Sequence, residues 1–439
     1  MIWLQLIILL ACIIIGARMG GLGLGVMGGV GLAIFAFVFG LQPTSAPIDV
    51  MLMILAVITA AGCLQAAGGM DYLVYVAEKL LRKHPKYINF LAPIITYLFT
   101  FLAGTGHVSY AVLPVIAEVA KETKERPERS LGIAVIASQQ AVTASPISAA
   151  TVALLALLEP FGVTLPQILM ICIPSTFIAV MFSAFVCSRL GKDLEQDPIY
   201  LKRLDEKLIE PIKKEKKEYI ANVSSKLSVA IFLTATVLVV MLGSFANLRP
   251  SWEAADGTVT MMSMPMAIEI VMLSAAALII GLAKVNVDSI VSGSVFKAGA
   301  SAVVAIFGIA WMGDTFFTGN KEVITGSISE LVTAAPWLFA FALFILSILL
   351  YSQAATVRTL MPLGITLGIN PAMLIAMYPA VNGYFFIPNY PTVVAAINFD
   401  QTGTTRIGKY VLNHSFMLPG LLSTIGAVII GLLLSSILL

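Results

Sequence analysis

Apolar residues in this chain gather into blocks of about 20, the length a helix needs to cross roughly 30 Å of hydrocarbon. The blocks fall at about 2–17, 24–41, 50–70, 131–157, 166–188, 227–247, 263–283, 297–317, 370–398 and 411–437. Polar residues do not alternate within them: Leu6–Ile15 and Ala427–Leu434 are apolar on every side. A barrel strand would alternate over about ten residues, so the pattern predicts an all-α polytopic membrane protein set in a lipid bilayer. The first block has no basic stretch ahead of it and ends in Gly16-Ala17-Arg18, which reads as a retained helix rather than a cleaved signal.

Two further apolar blocks, 88–120 and 336–368, do not fit single crossings once charge is considered. Lys and Arg are retained on the cytoplasmic side. No basic residue precedes the first helix, so the N-terminus is expected outside. Three crossings then bring the amphipathic stretch Asp71–Lys86, with Lys79, Arg82, Lys83 and Lys86, to the cytoplasmic surface. Block 88–120 ends in Lys121, Lys124, Arg126 and Arg129, a basic loop that one crossing would carry outside. The conflict disappears if the block enters from the cytoplasm, turns at Gly104-Thr105-Gly106-His107 and returns as a re-entrant hairpin. Glycines and small polar residues suit such a tip, because free backbone groups at membrane depth need protein or a wet cavity around them. The second block breaks at Tyr351-Ser352-Gln353-Ala354-Ala355-Thr356 and reads as a hairpin entering from outside. With both hairpins in place, 23 of the 26 basic residues are cytoplasmic, Arg249 and Lys321 are outside, and Arg358 lies within the membrane. Both termini are then periplasmic.

The halves 1–188 and 227–439 thus read as an inverted repeat, each with five spans and one hairpin, joined by a solvated cytoplasmic connector, 189–226, that carries ten basic residues. Weak internal likeness agrees. Gly104…Pro114 and Ser352…Pro362 recur at an offset of 248, Ser145-Pro146 and Tyr390-Pro391 at 245, and Met70-Asp71 and Gly313-Asp314 at 243.

Chemistry is expected where the two tips meet two interrupted helices. One carries Thr143-Ala144-Ser145-Pro146-Ile147-Ser148, the other Pro388-Asn389-Tyr390-Pro391-Thr392. A mid-span proline removes a hydrogen bond and unwinds the chain, and the half-helix that follows offers N–H groups and a positive dipole end to an anion. The blander reading is a proline kink whose Ser and Thr bond back to their own helix. Arg358 either pairs with a carboxylate or neutralises a helix end, and His107 either donates to a ligand or satisfies carbonyls at its tip. Asp314 and Glu269 lie near the outer ends of spans and read as interfacial or helix-pairing groups.

Composition narrows the field further. Hydrophobic residues make up 59% of the chain and charged residues 11%, and the charges sit in loops, so the net charge of +2 implies no nucleic-acid partner. Cys12, Cys63, Cys172 and Cys187 lie in apolar helices without ligand spacing and read as packed thiols, with no metal site or cofactor implied. An intramembrane enzyme would need a nucleophile beside its base, which His84, His107 and His414 on separate segments do not supply. A cation or proton antiporter on the same fold is the stronger rival. It would place carboxylates at the breaks, where none occurs.

Several stretches resemble the anaerobic C4-dicarboxylate transporters of the Dcu A/B type. They are Phe101-Leu102-Ala103-Gly104-Thr105-Gly106-His107-Val108, Leu113–Val119, Ala144–Ala150, Pro198–Leu204, Gly308–Thr315, Tyr351–Thr356 and Asp400–Lys409, and the likeness runs from Gly16 to Gly420. The resemblance implies exchange of fumarate, malate or aspartate inward for succinate outward, across the cytoplasmic membrane of a bacterium growing without oxygen. It also implies kinship with the ion-transporter superfamily, in which a subdomain moves as an elevator within a scaffold homodimer, with coupling to protons or sodium ions left open. Carried onto this chain, the binding positions are Thr105, Gly106, His107, Ser145, Pro146, Ser148, Ser352, Gln353, Thr356, Asn389, Pro391 and Thr392, with Arg358 less secure.

Overall fold

A computed structural model describes residues 1–439 apart from 20, 21, 47, 210–221, 254–258, 321, 324–334, 351, 389 and 409–411. The first half contains α1 (Ile2–Met19), α2 (Gly23–Phe37), α3 (Ile48–Ala66), α4 (Gly69–Lys83), α5 (Ile88–Ala103), α6 (Ser109–Glu122), α7 (Pro127–Ala144), α8 (Ala149–Leu158) and α9 (Leu165–Cys187). A short α10 (Pro198–Asp205) follows. The second half contains α11 (Val223–Ser244), α12 (Met264–Ala283), α13 (Val287–Ser292), α14 (Ser294–Gly319), α15 (Leu338–Leu350), α16 (Gln353–Thr366), α17 (Pro371–Met377), α18 (Pro391–Phe399) and α19 (Met417–Leu438). Two short antiparallel strands, Ser251–Glu253 and Val259–Met261, form the only sheet among the described residues.

Among the described residues six helices are long and apolar enough to cross a membrane, or seven if the pair Met51–Ala66 and Gly69–Lys83, bent by 68°, counts as one. This is a multi-pass membrane protein. The bend at Gly68 falls where the apolar pattern gives way to the amphipathic stretch, and Arg82 on α4 pairs with Glu78, Glu118 and Glu122.

Both interrupted blocks are helix-turn-helix units. Gly104 ends α5 in the left-handed conformation (φ 70°), donating its N–H to Thr100 O at 2.8 Å. A side chain there would be strained, and its Cβ would stand 2.9 Å from Ile147 O. At the open end, Asn89 Nδ2 donates to Glu125 Oε2 at 3.3 Å, so the unit returns to the level where it began. In the second unit a Cβ on Gly364 of α16 would lie 2.8 Å from Phe339 Cζ of α15, which brings its two ends together in the same way.

Packing between the halves is reciprocal. Helix α2 packs on α14 while α3 packs on α12, α8 packs on α16 while α18 packs on α6, and α9 packs on α19. The α2–α14 seam is close enough that a methyl on Gly308 would overlap the Gly25 carbonyl, the backbone approach that small residues permit between apolar helices.

The start of the connector is anchored at buried Asp197, while most of residues 189–209 are exposed. Asp197 and Arg126 are buried and ion-paired, and Arg126 also pairs with Glu128. Burial alone would raise the Asp197 carboxyl, but the Tyr200 and Ile199 N–H groups and Arg126 hold it below its usual range. Arg203 of α10 donates to Gln401 O at 3.0 Å, and Glu128 accepts from Ser415 Oγ at 2.7 Å. The loops after α6, α9 and α18 therefore share one face. On another, Arg249 lies 3.7 Å from Glu159.

Candidate functional site: a buried polar seam at four chain breaks

The first interrupted helix ends for a local reason. Pro146 has no N–H to give Val142 O, its partner four residues back. Ser148 Oγ replaces that donor at 2.6 Å and, as N-cap of α8, accepts from Thr151 N at 3.1 Å. Ser145 Oγ donates to Phe101 O at 2.7 Å and ties this break to the first hairpin. The single O–H of each serine is thus committed to a backbone carbonyl in this conformation, the bond-back arrangement of the blander reading.

The second interruption is longer and begins earlier than the proline pair Pro388 and Pro391 indicates. Helix α17 stops at Met377, and residues 378–381 and 383–385 form short 3-10 turns before Pro391 opens α18. Pro379 lacks an N–H for Ile375 O, and Asn382-Gly383 is a turn-forming dipeptide. Those two signals mark the start of the break, as Pro388 and Pro391 mark its end.

Gln353 and Asn382 join the elements. Gln353 Nε2 donates to Gln139 O at 3.0 Å and to Asn382 Oδ1 at 2.7 Å. Asn382 Nδ2 donates to Gln140 Oε1 at 3.1 Å and to Pro379 O at 3.0 Å, and Gln140 Nε2 reaches Thr424 Oγ1 at 2.9 Å. Thr151 Oγ1 and Tyr378 OH lie 3.1 Å apart. Tyr384 stands beside Tyr390, with ring centroids 4.3 Å apart. Sequence reasoning singled out Gln353 but missed Gln139, Gln140, Asn382 and the tyrosines, because nothing in a buried run announces that distant amides will meet.

The remaining expected positions distribute as follows. Gly106 packs on α7, where an added Cβ would stand 3.8 Å from Ser138 O. Thr105 is half-buried at the same tip. Ser352 caps α16, accepting from Ala355 N at 3.2 Å, and Thr356 Oγ1 donates to Ser352 O at 2.8 Å. Pro391 is the first residue of α18, and Thr392 is buried with no partner for its hydroxyl among the described residues. Asn389 and the His107 side chain lie outside the described residues. Arg358 lies on α16 and Asp314 on α14, helices that cross where an added Cβ on Gly313 would stand 3.1 Å from Thr359 Cγ2.

Four helices, α6, α8, α16 and α18, begin at these breaks. Ser148 and Ser352 cap two of them, whereas α6 and α18, which pack together, have no side-chain cap. Their first N–H groups and positive dipole ends are suited to an anion. No carboxylate lies in 104–108, 138–148, 351–356 or 378–392. Among the described residues no group of three His, Cys, Asp or Glu could hold a metal ion.

Apolar helices enclosing a neutral polar seam define a membrane transport protein. The family described as anaerobic C4-dicarboxylate membrane transporter matches residues 1–439. The C4-dicarboxylate transporter DcuA of Wolinella succinogenes is 44% identical over 444 residues, covering 100% of both chains. DcuA of Escherichia coli K12 is 46% identical over 440 residues, again 100% of both, and the anaerobic C4-dicarboxylate transporter DcuB of Escherichia coli O6:H1 is 40% identical over 98% of this chain and 97% of its own. The chain belongs to this family, which is one of transporters and not of enzymes.

Proposed function

We propose that the seam binds a four-carbon dicarboxylate dianion and that the protein exchanges fumarate, malate or aspartate inward for succinate outward across a bacterial cytoplasmic membrane. The observation that carries this reading is the buried, carboxylate-free network that joins the start of α16 to α7 and to the second break, beside α6 and α18, which pack on α7 and have no side-chain cap. Dipole ends and neutral donors stabilise an anion without the cost of burying fixed charges. Thr392 and Thr105 are the donors nominated at the breaks, while Gln353, whose Nε2 hydrogens are engaged by Gln139 O and Asn382 Oδ1, holds the junction, and Arg358 on α16 is a further candidate for a carboxylate.

The reciprocal packing of the halves supports an inverted repeat of five spans plus a hairpin each, and the family resemblance is what suggests a moving unit of elevator type in a homodimeric scaffold. The shared face of the basic loops after α6, α9 and α18 favours that face as cytoplasmic, with both termini periplasmic. Proteoliposomes preloaded with fumarate should take up labelled succinate, and empty or sodium-loaded vesicles should not. Equal uptake without internal dicarboxylate would exclude exchange.

A further inference from the structure

Gln139 lies in the seam, which uses its backbone carbonyl but not its side chain. Its side chain is 2% exposed, and neither Nε2 nor Oε1 has a partner among the described residues. Its neighbours are arranged around it. The preceding carbonyl, Ser138 O, faces Gly106 of the first hairpin, while its own carbonyl is held by Gln353 of the second. Residues three and four positions on share its helix face. Val142 packs against Gly106, and Thr143 Oγ1 lies 3.5 Å from Asn382 Nδ2. Position 139 therefore faces the junction of the first hairpin with the second break, beside the uncapped helices α6 and α18 that pack on α7.

A buried primary amide is costly with both ends unsatisfied, and a ligand that satisfies both gains by comparison with one that satisfies a single end. An unsubstituted dicarboxylate dianion has acceptors only. It can take the Nε2 hydrogens, but it offers Oε1 no donor. A dicarboxylate bearing an ammonium or hydroxyl group on C2 supplies the acceptor's partner as well. We propose that Gln139 contacts substrate and reads the C2 substituent, with Nε2 donating to a carboxylate oxygen and Oε1 accepting from a 2-ammonium or 2-hydroxyl group. This rests on the seam being the dicarboxylate site and adds to it a residue that sets preference among dicarboxylates.

The test is calorimetric binding to the full-length protein in detergent, with L-aspartate, L-malate, succinate and fumarate as probes, read beside thermal melting. Wild-type protein should bind L-aspartate or L-malate at least about tenfold more tightly than succinate. Equal affinities overturn the role of Gln139. Gln139→Met keeps the length and removes both hydrogen-bonding ends, and should weaken every ligand through the lost Nε2 bond to a carboxylate but the 2-substituted ligands about tenfold further than succinate. A loss of equal size for all four ligands, or no loss, overturns the proposal. Gln139→Glu provides a second variant: its acceptor and new charge should weaken succinate more than L-aspartate, whose ammonium it attracts, and the reverse order counts against the assignment. Wild-type protein that binds none of the four would sink the dicarboxylate reading itself, whereas equal binding of succinate and L-aspartate removes only the selectivity assigned to Gln139.

Discussion

The two interrupted helices occupy matching places in the packing but are broken in different ways. The first, between α7 and α8, spans four residues and is closed from within: Ser148 supplies both the donor that Pro146 lacks and the cap that α8 needs. The second, between Met377 and Pro391, is held from outside. Ser347 Oγ accepts from Gly383 N at 2.8 Å, Gln353 and Gln140 hold Asn382, and His414 Nε2 lies 3.3 Å from Phe386 O. Local closure leaves a short rigid break, while long-range closure makes the second break the point where the second hairpin, the first break and α19 depend on one another.

The largest expected effect follows from removing the outside support. Asn382→Leu should cost about 3 kcal/mol, because it strips buried amides of partners that cannot be replaced by water. Thermal melting of the detergent-solubilised protein measures this. Ser148→Ala at the other break should cost about 1 kcal/mol, the usual value of an N-cap. Equal losses from the two substitutions would erase the contrast between them.

The smallest effect concerns pH. Burial holds the His414 imidazole below its ordinary value, opposed in part by the bond to Phe386 O. Phe416 N donates to Nδ1 at 3.2 Å, which requires the neutral ring with its hydrogen on Nε2, directed at Phe386 O. The unfolded chain binds the proton first, so this stabilisation is complete above the unfolded value of about 6.5 and is lost progressively as pH falls below it. His414→Gln should flatten that slope in melting curves taken across the window. An unchanged slope would mean that His414 does not clamp the second break.

The same contrast marks the limit of what could be read from the sequence. Helix positions, the turn at Gly104 and the break at Ser145-Pro146 were legible, because apolar block length, a left-handed glycine and a missing proline N–H all act within a few residues. Of the second break only the closing end was legible, since Pro388 lies within it and Pro391 opens α18. Pro388 and Pro391 drew attention, while Pro379 and Asn382, which the fold uses, become decisive only when Gln353 and Gln140 arrive from elsewhere in the chain.

By itself the sequence determined a membrane protein of long apolar helices with two interrupted blocks and two proline breaks, since burial in hydrocarbon obliges each segment to satisfy its own backbone. Only the tertiary structure decided which polar side chains meet. Hydrogen bonds between Gln353, Asn382, Gln140 and Thr424 join residues far apart in the chain, and no periodicity encodes them. It also decided that α16 crosses α14 at Thr359 and Gly313, because the close approach of two helices is set by how both pack and not by either segment alone.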